Sequence, residues 1–319
     1  MNRDKIIEAM SKNSQDYWRI LKEENEHLIK DCKNKLYNCI EDRIKGIKDL
    51  NLENIVIGVT GSDGRLESYR SETDIVILSK EKITKELNQE ILKELKPLLI
   101  EIKTIEQKLS YYSNDPKRIF PTRMIDFLVL NSDTCNECYD DFMEKFVEEV
   151  INDKNIRKSV SERLKEYSNI NKTGKQRWKG REIEHYNSEE GLFYYDEKID
   201  CIKAGPKYGP LRTIQFYIAK KIMEAENKDV ENKKDFYKRL FYILPRTTIE
   251  RIDFLREQKI LDLSKESAGY LKDNYNYFLM LYHKLQEMYF INKDLISIKV
   301  NNMELKERII SIDRIISSK

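Results

Sequence analysis

Cysteine, histidine and long apolar runs are scarce in this chain, and each scarcity excludes a class of protein. Five cysteines among 319 residues form an odd and scattered set, which argues against the disulfide framework of a secreted domain. The three histidines stand apart from any metal-ligand spacing. No window approaches the roughly 18 apolar residues of a membrane span, and the first residues lack the apolar core of a signal peptide. The sequence therefore predicts a cytoplasmic protein with no membrane segment.

An excess of one charge is also missing. Lys and Arg number 58 and Asp and Glu 56, for a net charge of +2, so no overall field draws the chain onto nucleic acid or an anionic membrane. Charged residues nevertheless make up 36% of the chain, against about 25% in an average protein. This load suits long solvated helices better than a thick β-sandwich. The near-zero net charge also argues against nucleic acid as a partner, except through a local patch.

The apolar pattern divides the chain into three parts. Residues 1–50 repeat apolar positions at spacings of three and four, which predicts an N-terminal helical arm. Residues 51–150 hold the clear strand signals, and we interpret them as a catalytic domain. Residues 151–319 are predicted to form a helical domain, apart from an irregular stretch near 171–210. The predicted strands are short β-branched or apolar runs at 55–59, 74–78 and 124–130.

Carboxylates accompany two of these strands. Glu72 and Asp74 are two residues apart, and side chains at that spacing along a strand point to the same face. Asp126 lies within an otherwise apolar run, where an ionised Asp requires a cation, a donor or a cleft edge. If the strands are neighbours, the three acids meet and form a site for Mg²⁺ or Mn²⁺, as phosphoryl or nucleotidyl transfer requires. The alternative for Asp126 is a residue at a strand end that caps a turn.

A Gly-Ser turn directly follows the first predicted strand. Without a Cβ at Gly61 the backbone can approach a phosphate closely, and N–H groups and the Ser62 hydroxyl can donate to its oxygens. Arg65 and Arg70 are close enough in sequence to add charge-assisted contacts. Taken alone, the pair Gly61-Ser62 also fits an ordinary β-turn, and the carboxylates beyond it favour the phosphate site. Glu67 fits a salt bridge with Arg65 or Arg70, or a role in bracing the loop, and we favour a structural role for it.

The order of these features resembles that of the polymerase-β-like nucleotidyltransferases. That family has a strand, a Gly-Ser turn, paired acids on the next strand and a later lone Asp. The longer segment Gly61-Ser62-x-Gly64-Arg65-x-Glu67 is similar to one branch in particular. The branch contains the uridylyltransferases that modify nitrogen-regulatory signal proteins, the glutamine-synthetase adenylyltransferases and uncharacterised bacterial relatives. The resemblance implies that the turn residues, Gly64 among them, bind nucleotide.

A downstream segment, 203–215, is similar to the same branch's Lys-x-Gly-x-Gly-Gly-Leu-Arg-Asp-Ile segment. The resemblance implies that Lys203 and Arg212 face the active-site cleft. Two departures accompany the two matches. Glu72 stands where the family usually has Asp, and Thr213 stands where the branch has Asp. The matches together cover about a third of the chain.

From the resemblance we expect an α+β fold, with a small mixed-sheet nucleotidyltransferase domain followed by an all-helical domain. The implied reaction uses Mg²⁺ or Mn²⁺ held by Glu72, Asp74 and Asp126. In this reaction an acceptor hydroxyl attacks the α-phosphate of an NTP, and pyrophosphate leaves. The resemblance implies that the NTP is ATP or UTP. The acceptor implied by the branch is a protein side chain such as a Tyr.

Two other functions stay open at this point. One is a nucleotidyltransferase of the aminoglycoside type, acting on a small molecule, which an acidic pocket near 182–190 would favour. The other is a catalytically idle nucleotide-binding regulatory protein. Glu72 and the missing acid after Arg212 favour it.

The segment 172–181 is strongly basic and contains Trp178, which could stack on a nucleic-acid base. Acidic residues follow at once, at Glu182, Glu184, Glu189 and Glu190, so the basic patch is not sustained. A solvated loop and a flap over the triphosphate are the other interpretations, and both are favoured over nucleic-acid binding.

Overall fold

The computed structural model describes residues 1–42, 55–69, 74–79, 121–131, 136–178, 180–195, 205–225, 233–292 and 296–317, with residues 89 and 93. The chain divides into two compact units. The first comprises residues 1–2, 21–156 and 226–247, and the second comprises 3–20, 157–225 and 248–319. Both units combine helices with small antiparallel sheets, so the fold class is α+β.

The first unit contains a three-stranded sheet in the order β2-β1-β3. The strands are β1, Ile55–Thr60, β2, Asp74–Ser79, and β3, Leu128–Val129. β1 pairs antiparallel with both neighbours, so the described pairs do not form the mixed sheet that was predicted. All six residues of β1 are buried, as its β-branched apolar composition predicts.

The third predicted strand is shorter than its apolar run suggests. Residues Pro121–Ile125 form a helix, α4, and the N–H of Asp126 continues its pattern by donating to the Thr122 carbonyl at 3.2 Å. Proline favours the first turn of a helix because its missing N–H has no intrahelical acceptor there. The prediction of a strand from residue 124 was therefore wrong. Asp126 lies in the turn between α4 and β3, not inside a strand.

Helices complete the first unit. Most of α2 (Tyr17–Asp42) belongs to this unit, as does the single turn α3 (Gly61–Gly64). The other helices are α5 (Asn136–Phe146), which continues into a π-helical turn (Val147–Ile151), and α8 (Lys233–Ile243). Ion pairs link α5 to α8, among them Lys234 Nζ to Glu144 Oε2 at 2.7 Å. The Tyr139 ring of α5 stacks on Phe127, which places α5 beside the turn that holds Asp126.

The second unit is rich in helices. They are α1 (Arg3–Ser11), α6 (Lys154–Thr173), a π-helical turn (Lys207–Leu211), α7 (Arg212–Glu224), α9 (Thr248–Glu257), α10 (Lys265–Asn292) and α11 (Asn302–Ser317). The predicted helical arm consists of two helices, α1 and α2. The Tyr17 hydroxyl lies 2.7 Å from His283 Nδ1 in α10, so the start of α2 packs into this unit.

Strands in the second unit correct the expectation of an all-helical domain. β4, Lys175–Trp178, and β5, Arg181–Glu184, form a hairpin. β6, Tyr186–Asn187, β7, Leu192–Tyr195, and β8, Ile296–Lys299, form a second three-stranded sheet. Runs of two to four residues are too short to show a periodicity of two. β7 also pairs with β8, which lies about a hundred residues later in the sequence.

No helix among the described residues has both the length and the apolar content that a membrane span needs.

Candidate nucleotide site

The Gly-Ser turn after β1 is a single helical turn closed by a Schellman motif. The Glu67 N–H donates to the Ser62 carbonyl at 2.8 Å, and the Leu66 N–H donates to the Asp63 carbonyl at 3.0 Å. This pair of bonds requires a left-handed residue after the helix end, and Leu66 supplies it with φ of 58°. Gly61, which begins the turn, also has a positive φ, of 67°. The segment thus has one defined shape from Gly61 to Glu67.

Asp74 lies directly over this turn. In the β1–β2 ladder Asp74 is the partner of Thr60, the residue before Gly61. A Cβ placed on Gly61 would lie 3.3 Å from Asp74 Oδ2, so the carboxylate faces the space that the glycine leaves open. The ladder register therefore brings together two predicted site residues that are thirteen positions apart in sequence.

Asp126 is buried and paired with Arg65. Arg65 Nη1 donates to Asp126 Oδ2, and Arg65 Nε donates to Glu67 Oε2 at 2.8 Å. The three side chains are no more than 8% exposed. Of the contacts considered for Glu67, the salt bridge with Arg65 is present. The cation that a buried Asp126 requires is the guanidinium of Arg65, which belongs to the Gly-Ser turn.

Backbone contacts hold Asp126 close to the turn. A Cβ on Gly64 would lie 1.7 Å from the Asp126 carbonyl oxygen, so only glycine fits there. The Arg246 guanidinium donates to the Phe127 carbonyl at 2.8 Å. On the other side of the turn, Asn25 Nδ2 of α2 donates to the Ser68 carbonyl at 2.9 Å. The segment that holds Asp126, helix α2 and strand β2 therefore all approach the Gly-Ser turn and the residues that follow it.

The structure brings together six of the ten predicted site residues, namely Gly61, Ser62, Gly64, Arg65, Asp74 and Asp126, all in the first unit. Glu72, Arg70 and Lys203 lie outside the described residues. Arg212 belongs to the second unit, where it begins α7 and its Nη1 donates to Gln215 Oε1 at 3.3 Å. Within the described part of the chain, no group of three or more Asp, Glu, His or Cys side chains is arranged to hold a metal ion.

The downstream segment forms the π-helical turn and the start of α7. Its Tyr208 ring stacks on His185, with ring centroids 5.4 Å apart. His185 is buried, and its Nε2 lies 3.1 Å from Gln176 Oε1 of β4. Burial lowers the pKa of His185 to about 4, so the ring is neutral at pH 7.

The basic segment 172–181 contains the first strand of the β4–β5 hairpin, so the interpretation as an irregular loop does not hold for β4. Lys175 Nζ pairs with Glu182 Oε1 at 2.9 Å across the hairpin. Arg177 and Arg181 are exposed. Part of the basic charge is therefore neutralised by the acidic residues that follow it in sequence.

Two features of the site escaped sequence reasoning. Leucine seldom adopts a positive φ, so nothing in the residue type at position 66 indicates the left-handed turn. The pairing of Arg65 with Asp126 joins residues 61 positions apart, and no local pattern indicates it.

A comparison of the chain with protein-family models finds no match, and a comparison with curated proteins finds none either. The resemblance to the nucleotidyltransferases therefore rests on the two motif segments of the sequence.

Proposed function

We propose that this protein is a metal-dependent nucleotidyltransferase, which moves an NMP from an NTP to an acceptor hydroxyl and releases pyrophosphate. The observation that supports this most is the placement of the Asp74 carboxylate over Gly61. A carboxylate that can bind a cation and a turn open to a phosphate then share one edge of the sheet. An NTP bound as its Mg²⁺ complex needs both groups together.

The donor set fits a hard divalent ion. Carboxylate oxygens are the protein ligands that Mg²⁺ and Mn²⁺ prefer, and Asp74 and Asp126 are on strands or turns that flank β1. We assign the metal to Asp74 and Asp126, with Glu72, which lies outside the described residues, as the third ligand. When bound, the metal lowers the pKa of the attacking hydroxyl and neutralises phosphate charge.

The chain's own groups bind and orient the triphosphate. The Gly-Ser turn after β1 is the proposed binding site for the phosphate oxygens. Gly61 lets the backbone approach them, and the Ser62 hydroxyl adds a donor. Arg70, which lies outside the described residues, supplies positive charge in this proposal. ATP or UTP is the proposed donor, and a protein hydroxyl is the proposed acceptor.

The test is transfer of label from each α-³²P NTP, with Mg²⁺ or Mn²⁺, in the presence and absence of a cell extract. We expect one NTP to label a protein band, and we expect Asp74→Asn or a chelator to abolish the label. Asp16→Asn is the matched control, because Asp16 is 62% exposed in a surface pair with Arg19. A label that survives in Asp74→Asn would refute the assignment. Label on a small molecule would favour the aminoglycoside-type alternative instead.

One observation favours a second function, that of an idle nucleotide-binding protein. Arg65 already neutralises Asp126, so that carboxylate has a cation before any metal arrives. In this case the protein would bind an NTP without releasing pyrophosphate. Isothermal titration with each NTP, run beside a pyrophosphate-release assay on the same preparation, separates the two functions. Because release of pyrophosphate requires an acceptor hydroxyl, the release assay includes the cell extract. Binding with no release from any NTP in its presence would establish the idle protein.

A further inference from the structure

Among the described residues, the Arg65 guanidinium bonds two buried carboxylates. Its Nε bonds Glu67 at 2.8 Å, and its Nη1 bonds Asp126. The guanidinium therefore connects the end of the Gly-Ser turn to the residue that precedes β3.

We propose that Arg65 is a positioning residue that orients Asp126 toward the metal, and that Glu67 in turn orients Arg65. This inference rests on the proposed function, since it needs Asp126 as a metal ligand. It changes the role expected of Arg65, from a direct phosphate contact to a support for a carboxylate. Glu67 becomes part of the same support.

Burial supports this assignment. Arg65 and Asp126 are each 8% exposed in their side chains, and Glu67 is 3% exposed. To reach a phosphate, Arg65 would have to leave two buried carboxylates without their shared cation, which is costly in a low-dielectric interior.

The backbone explains why the arrangement is specific. The Schellman motif sets the directions of Arg65 and Glu67 on either side of Leu66, whose left-handed conformation is held by its buried side chain. Arginine is required because Nε and Nη1 bond different partners at a fixed angle within one planar group. Lysine has a single nitrogen and cannot reproduce that fork.

The experiment compares Arg65→Lys and Glu67→Gln with the wild type in two measurements. The first is Mn²⁺ binding to the nucleotide-free protein, followed by electron paramagnetic resonance. The second is steady-state transfer, with kcat and the KM for NTP reported separately. Arg19→Lys is the matched control, because Arg19 belongs to an exposed pair with Asp16.

If Arg65 positions Asp126, both variants should bind Mn²⁺ roughly tenfold more weakly, as is typical when a residue that orients a metal ligand is changed. The value of kcat should fall by a similar factor, and the KM for NTP should stay within about twofold, because no phosphate contact is lost. A phosphate role for Arg65 predicts the reverse. A KM raised about tenfold in Arg65→Lys, with unchanged Mn²⁺ binding, would overturn the inference.

Failure of the proposed function gives a different result. In that case the wild type binds Mn²⁺ no better than Asp74→Asn does. The support of Asp126 by Arg65 and Glu67 is then tested by stability alone, through a double-mutant cycle of Glu67→Gln and Asp126→Asn in urea. Coupling between the two positions would uphold the connection through Arg65, and strict additivity would refute it.

Discussion

The most direct test of the site geometry is Gly64→Ala. The Cβ of alanine would lie 1.7 Å from the Asp126 carbonyl oxygen and 3.1 Å from the Val59 carbonyl oxygen. Real Cβ atoms essentially never come within 3.0 Å of such an atom. Both neighbours are backbone atoms, so no side-chain rotation relieves the contact. The turn and the Asp126 segment must separate by at least about 1.3 Å.

This displacement sets the size of the effect. Overpacking typically costs about 1–3 kcal/mol, and a clash between two backbone segments falls at the upper end. We therefore expect Gly64→Ala to lower the free energy of unfolding of the first unit by about 3 kcal/mol. Asp126 moves away from Arg65 at the same time, because Gly64 and Arg65 are consecutive. Transfer activity should consequently be lost even in protein that stays folded.

Urea unfolding followed by circular dichroism measures the loss, and hydrogen exchange of the β1 amides assigns it to the first unit. Gly269→Ala in α10 is the matched control. A Cβ there meets nothing within 4 Å, and alanine in a helix interior is expected to gain about 0.5–1 kcal/mol. A Gly64→Ala protein within 1 kcal/mol of the wild type, by the same urea analysis, would refute the close approach of Asp126 to the turn.

Three further predictions concern the surrounding structure. Because burial lowers the pKa of His185 to about 4 from 6.5, the unfolded chain takes up a proton first, so stability is complete above pH 6.5 and falls as the pH drops toward 4. Urea titrations at pH 6.5 and 5 should differ by about 2 kcal/mol, and His185→Gln should remove the difference. A pH dependence that persists in this variant would assign it to other groups. Asn131 Oδ1 accepts from the Ile57 N–H and Asn131 Nδ2 donates to the Ile55 carbonyl, so Asn131→Ala should cost about 2 kcal/mol in the free energy of unfolding. A loss below about 0.5 kcal/mol would contradict the pairing. Tyr242→Phe removes a hydrogen bond to Asp140 from a half-exposed ring. The free energy of unfolding in urea should change by less than about 1 kcal/mol, and a larger change would contradict this prediction.

The local part of the site was predictable from residue order. β1 and β2 are short β-branched runs that follow one another in the sequence, and such runs favour strands in most tertiary contexts. The nearness of Asp74 to Gly61 follows from this, because antiparallel pairing of two such strands brings the end of one beside the start of the other. The two segments that resemble the nucleotidyltransferases are also recognised from residue order alone.

The remaining part depends on contacts between distant segments. An apolar stretch such as 124–130 fits a strand and a buried helix equally well, and the structure divides it between α4 and β3. The pairing of β7 with β8 needs partners that are far apart in sequence. Strands this short become stable only when a neighbour supplies their hydrogen bonds.

The sequence by itself determined the Gly-Ser turn, the two strands around it and the acids at their ends, since these follow from local propensity and spacing. Only the tertiary structure decided what Arg65 does. Its position after the turn suggested a phosphate ligand, yet folding brings Asp126 to it from 61 residues away. A guanidinium buried between two carboxylates stays with them, because the low dielectric of the interior penalises any of the three charges left unpaired.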